Sequence, residues 1–180
     1  MKDLEEEYYR RMIVKLIKEA GTLIRVEVVK RHALTAEINL HYAESLRNIL
    51  REDYDIFAKP LEDVLKEGLD RLKKGENKNI VAADMLLTLT RRYVLFSQRR
   101  ISEIVEHIKA VNNFITLVNK IIEELNKEGI YLDTIEPVTV PILQDDYTIA
   151  RILREALNRL DMAIGILKGL SDIANEWAKT

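Results

Sequence analysis

From Ile101 onward, apolar residues recur at alternating steps of three and four: Ile101, Ile104, Ile108, Val111, Ile115, Val118, Ile122 and Leu125. A seam that keeps step this long draws one continuous apolar line along a helix, and a strand, whose side chains alternate every second residue, cannot carry it. The line ends before Gly129, a helix-stop residue. Behind Ile101 the same register runs less cleanly through Val94 and Leu87, so the expected helix spans about 79–127. A second seam follows Asp146, a candidate N-cap: Ile149, Leu153, Ala156, Leu160, Ala163, Leu167, Leu170, Ala174 and Trp177. That helix is expected over 146–178, with a length of about 48 Å at ~1.5 Å per residue.

What flanks the seams decides the architecture. Val105, Phe114 and Ile121 on one helix, and Ile152, Leu157, Ile164 and Ile173 on the other, are apolar where a two-stranded coiled coil would place charges. Stripes this wide need neighbours on more than one side. The reading is an all-α chain, an elongated antiparallel multi-helix bundle forming a single domain over 1–180. Six glycines and three prolines are too few for the turns of an all-β chain.

Shorter segments fit the same class. Leu4, Tyr8, Met12, Ile13, Leu16, Ile17 and Ala20 line one face of a helix from Asp3 to about Ala20, and Gly21 interrupts it. Thr22 to Val29 alternates like a strand, but a lone short strand has no partner, so helix is favoured. Thr35 is a plausible N-cap for a second helix burying Ile38, Tyr42, Leu46 and Ile49. Pro60 suits the first turn of a third, with Leu61, Val64, Leu65, Leu69 and Leu72, stopping at Gly75. Gly129 to Asp145 holds Pro137 and Pro141 around Val138-Thr139-Val140. It reads either as a crossover back along the bundle or as an ordered partner-binding loop.

Composition narrows the function classes. The chain has no cysteine, which removes disulfides, thiol catalysis and thiolate metal sites together. Its apolar stretch from Asn79 to Leu89 is interrupted by Asp84, well short of the ~20 apolar residues a bilayer requires. Glu5-Glu6-Glu7 stands where an export signal would need an apolar core, so a cytoplasmic protein is expected, with no membrane partner. Abundant Ile, Glu, Lys and Arg with two glutamines also fit a thermophile. A net charge of −2 and a pI near 6.0 argue against a globally basic nucleic-acid binder.

Few residues suggest chemistry. Glu37 and His41, followed by Glu44, and Glu103 and His107 each place a carboxylate and an imidazole four apart on one helix face. Ferritin-like di-iron bundles use Glu-x-x-His at a spacing of three, so solvated pairs and no metal or cofactor are expected. Arg25 and His32, separated by six residues, match the Arg-x(4–6)-His pattern of HEPN-type helical ribonucleases, but Val26 stands where a polar residue is typical. No nucleophile–base set or phosphate-cradling glycine loop can be read, so catalytic and cofactor-binding residues are expected to be none.

Basic residues are more suggestive. Arg91, Arg92, Arg99 and Arg100 lie within ten residues, after Lys73, Lys74 and Lys78, and Lys30, Arg31 and His32 form another small cluster. Arginine forks suit phosphate or a partner's carboxylates, while Asp84 and Glu103 are near enough to pair with them inside the bundle. Phe96-Ser-Gln-Arg-Arg-Ile101 resembles the Leu-Arg-x-Arg-Lys-Ile helix motif in the helical domain of archaeal GINS replication factors. Arg99, Arg100 and Ile101 match in type and Ser97 departs, with Glu52-Asp53-Tyr54 echoing an acidic-aromatic run upstream. The likeness covers at most residues 50–108, and the small β-domain of those proteins has no counterpart, since Asp146 onward reads as helix. It implies a nucleic-acid-associated accessory factor using the Arg91–Arg100 patch. The leading expectation is a non-enzymatic helical-bundle protein that associates with a protein partner or with itself through helix faces.

Overall fold

The computed structural model describes residues 4–21, 26–93, 98–140, 142 and 146–179, without the side chains of 91–93, 98, 99 and 146. Every regular element among them is helical: α1 (Leu4–Ala20), α2 (Val26–Asp53), a π-helical turn (Tyr54–Ala58), α3 (Lys59–Lys73), α4 (Lys78–Tyr93), α5 (Gln98–Lys127) and α6 (Asp146–Ala178). From Val26 to Lys73 the chain is helical without a break. Pro60 lies in the first turn of α3, where its missing N–H costs little.

One boundary differs from expectation. α2 begins at Val26, so Thr35 is no cap; its Oγ1 donates to the Arg31 carbonyl at 3.2 Å from inside the helix. Residues 22–25, the rest of the ambiguous stretch, lie outside the described residues. The helix expected over 79–127 is described as α4 and α5, with 94–97 between them outside the described residues.

Side-chain pairs give the helix directions. Arg31 meets Glu124, Tyr42 packs near Phe114, and Asp53 meets His107, so α2 runs antiparallel to α5. Glu44 meets Lys168 and Arg47 meets Asp161, so α2 also opposes α6. α1 runs with α6: Arg10 pairs with Asp172 at 2.6 Å and Lys18 with Glu176 at 3.1 Å. Glycine makes that contact close. A Cβ at Gly165 would stand 2.3 Å from the Glu6 carbonyl oxygen, and one at Gly169 would stand 2.7 Å from that of Arg10. Both long helices, α5 and α6, therefore point the same way as α1, and α2 alone runs counter to the three. The antiparallel order expected from the sequence does not describe the two longest helices.

The core follows this arrangement. From Ile104 to Leu125 the seam residues of α5 are at most 1% exposed, and Val105, Phe114 and Ile121 beside them are buried. On α6, Ile149 through Leu170 of the seam are fully buried, with Ile152, Ile164, Ile166 and Ile173 alongside. The expected inner face of α2 is corrected: Ile38, Tyr42 and Ile49 are exposed, whereas Val29, Ala33, Ala36, Ala43, Leu46 and Leu50 are buried. Alanines let α2 approach its neighbours closely, so the stripe with the larger side chains is left outside.

Parallel neighbours cannot be joined by a tight turn, and the segment after Gly129 supplies the return. Ile130, Leu132, Ile135 and Val138 are buried, while Asp133, Thr134, Glu136, Pro137 and Thr139 are exposed. From Leu132 to Val138 burial falls at every third residue, the period of a polyproline-II-type chain. Three asparagines of α5, seven apart, hold this strand by its backbone. Asn126 Nδ2 donates to the Leu132 carbonyl at 3.1 Å and its Oδ1 accepts the Leu132 N–H at 2.9 Å. Asn119 does the same for Ile135, and Asn112 for Val138, with all four distances 2.8 Å. The spacings agree, since seven helical residues advance about 10.5 Å and three extended ones about 9 Å. Asn119→Ala leaves the buried backbone groups of Ile135 unpaired and is expected to cost about 2–4 kcal/mol, one to two hydrogen bonds' desolvation. Thr134→Ala, on the exposed side of the same strand, should be near neutral. Urea midpoints of the two variants check this.

Candidate interaction surface

α3 and α4 form a hairpin that leaves the bundle. The turn Lys74–Asn77 joins them, and Asn77 Oδ1 accepts the Asn79 N–H at 2.9 Å, capping α4. Gly68 makes room for Met85 of α4, whose Sδ would stand 2.1 Å from a Cβ there. Arg71 bridges the hairpin, bonding Glu76 at 2.8 Å and Asp84 at 2.9 Å. Val81 is buried and Met85 and Thr88 are half-buried, a spacing of four and three that marks the face α4 turns to α3. Among the described residues, α3 is the one element α4 packs against.

Leu89 is half-buried as well, and the other described side chains of α4 are open. Ile80 is 58% exposed, Leu86 68% and Leu87 50%, and Ala82 and Ala83 between them are exposed too. On α3, Leu69 and Leu72, expected in the core, are also exposed. Much of the apolar stretch Asn79 to Leu89 thus lies on the surface. A large uncovered apolar helix face is the usual mark of an interaction site.

The basic candidates are distributed differently. The side chains of Arg91, Arg92 and Arg99 lie outside the described residues, as do Phe96 and Ser97 of the motif. Arg100 is half-buried and turned inward, with Nη2 3.3 Å from Asp53 Oδ1 and Nη1 3.5 Å from Glu103. Buried Asp53 also takes His107, whose Nδ1 is 2.6 Å from Oδ2, so His107 pairs across to α2. This carboxylate ties α5 to the end of α2 just before the π-turn. Lys73, Lys74, Lys78 and Lys30 are exposed, and Arg31 pairs with Glu124. His32 is buried with Nε2 2.9 Å from Glu124, and burial pushes its pKa below the ordinary imidazole value despite that carboxylate. Arg25 lies outside the described residues. Glu37 and His41 are exposed, while Glu44 reaches Lys168 at 3.2 Å. Among the described residues, no three His, Asp or Glu side chains converge on a common point for a metal ion.

One cluster escaped sequence reasoning. Glu6 of α1 is bonded by Arg47 of α2 at 2.5 Å and by Lys168 of α6 at 2.6 Å, and Arg47 also reaches Asp161 at 3.1 Å. Glu6 and Arg47 are 8% and 7% exposed. Burial raises the Glu6 pKa, but the hydrogen bonds from Lys168 and Arg47 outweigh it and hold the carboxyl below its ordinary value. Desolvation likewise works against Arg47, and Glu6 and Asp161 reverse it. The available signal was positional: Glu6 shares the helix face of Ile13, and Arg47 sits between Leu46 and Leu50, so each puts a charge inside an apolar stripe. Breaking such a pair strands a buried charge. Arg47→Ala is expected to lose about 3–5 kcal/mol. Arg11→Ala, which removes an exposed pair with Glu7, should lose at most about 1 kcal/mol. Chemical denaturation of both variants gives the comparison.

No family model, no curated protein and no solved structure matches this chain, so the geometry above carries the functional reading by itself.

Proposed function

We propose that this protein is a non-enzymatic helical-bundle protein that works by protein–protein association, docking through the α3–α4 hairpin. The open apolar face of α4 carries the reading. Ile80, Leu86 and Leu87 remain 50–68% exposed on a helix whose only packing neighbour among the described residues is α3. Leaving three large aliphatic side chains in water forgoes roughly 1.5–3 kcal/mol of burial each, and a partner helix recovers it. Helix-in-groove recognition uses anchors that share one helix face, as Ile80 and Leu87, seven apart, do. The bundle behind the hairpin, held by buried ions and the asparagine-bound crossover, acts as a rigid base.

The nucleic-acid reading has less behind it. Arg100, the member of the four-arginine patch whose side chain is described, is engaged by Asp53 and Glu103. The net charge of −2 adds no general attraction for phosphate.

A photo-crosslinking residue in place of Leu86 tests the association reading in the protein's own cells. The expected result is a covalent adduct with a protein. The same residue in place of Lys109, an exposed site on α5 paired with Glu106, should give none. Equal yields at the two positions would sink the reading.

A further inference from the structure

The occupant of the α4 face can be named from the register of the seam itself. Ile80, Ala83, Leu87 and Thr90 stand three heptads before Ile101, Ile104, Ile108 and Val111, in the same alternation of threes and fours. The later half of this line is covered by α2 and α6 within the chain. The earlier half points away from α3, which is served by Val81, Met85 and Thr88, and all four of its residues are exposed. α4 therefore presents two faces, one for its hairpin partner and one with the pattern of a helix–helix seam and, among the described residues, no helix on it.

We propose that the missing helix is α4 of a second copy, two α3–α4 hairpins meeting about a two-fold axis as an antiparallel four-helix bundle. The proposal rests on the association reading above and names its partner. Three observations favour a copy of this chain. A four-helix bundle needs two further helices, and a second hairpin supplies them with the same lengths and the same open face, as an isologous contact demands. From Lys59 to Tyr93 the hairpin carries eight cations and six carboxylates, so each copy offers both signs to the other at a net charge of +2. The one charge on α4 between Asn79 and Thr90 is Asp84, already bonded to Arg71, so closing the seam buries no unpaired ion. Size is adequate too. Ile80, Leu86 and Leu87, with Leu69 and Leu72 of α3, expose on the order of 500 Å² per copy, and the alanines and threonine extend this toward the ~800 Å² per partner of a standard interface. The small side chain of Ala83 lets the two helices approach, and antiparallel pairing sets it opposite Leu87 of the other copy.

Sedimentation equilibrium of the full chain, with two single variants, tests this. Wild type is expected at twice the chain mass in the micromolar range. Leu87→Glu and Ala83→Lys should each be monomeric with unchanged circular dichroism, because both positions are exposed in the single chain. Mixed together they should return to dimer, since one Glu–Lys pair and one native Ala–Leu pair form across the axis. Three results would overturn the proposal: a wild type that stays monomeric at hundreds of micromolar, single variants that remain dimeric, or a mixture that fails to reassociate. The crosslink at Leu86 separates the two levels of argument. An adduct of some other mass removes the second copy and keeps the association reading, whereas no adduct removes both.

Discussion

The architecture depends on a backbone being recognised by side chains. Two long helices that point the same way need a return path of their own length, and an extended strand crossing a core would bring unpaired peptide groups with it. Asn112, Asn119 and Asn126 solve this by giving the N–H of one residue each an acceptor and its C=O a donor. The amide side chain matches the backbone's own pairing pattern, which no carboxylate or hydroxyl does alone. Held this way, the strand contributes Leu132, Ile135 and Val138 to the core. α2 can then oppose both long helices at once.

Around that frame, α6 packs against α1, α2, α5 and the π-turn. Gly165 and Gly169 let α1 lie almost backbone to backbone on it, and the Glu6–Arg47–Lys168–Asp161 ions cross-link the three helices where they converge. A buried ion cluster is weak evidence for stability, because desolvating each charge costs several kcal/mol. Its value here is directional: shifting α1 along α6 separates Glu6 from Lys168 and Arg10 from Asp172 together. A bundle fixed in register can hold a projecting hairpin in one orientation, which association through that hairpin requires.

Much of the fold class was legible because period is a strong signal. The all-helical character and the extents of α1 and α6 followed from apolar spacing and from glycine and proline positions. Helix direction was not legible. Asparagines at 112, 119 and 126 read as ordinary polar positions until Leu132, Ile135 and Val138 are seen at the matching three-residue step. The inner face of α2 was misread for a physical reason as well. Weighing side chains by size favours Ile38 and Tyr42, but close helix packing selects Ala33, Ala36 and Ala43. The candidate surface was half visible: Asn79 to Leu89 stood out as an apolar stretch with Asp84 its one charge, and its register with Ile101 could be counted. That it lies uncovered is a property of the tertiary arrangement alone.

Amide hydrogen exchange, mapped residue by residue at a low and a high protein concentration, asks most directly whether α4 is open in one chain and covered in an assembly. Amides of α5, α6 and the Ile135 N–H should be slow at both concentrations, because their protection comes from within the chain. Those of α4 from Ile80 to Thr90 should exchange quickly when dilute and slow markedly when concentrated. Protection of α4 that is as strong as that of α5 and independent of concentration would contradict the account, since its apolar face would then be covered by the chain itself.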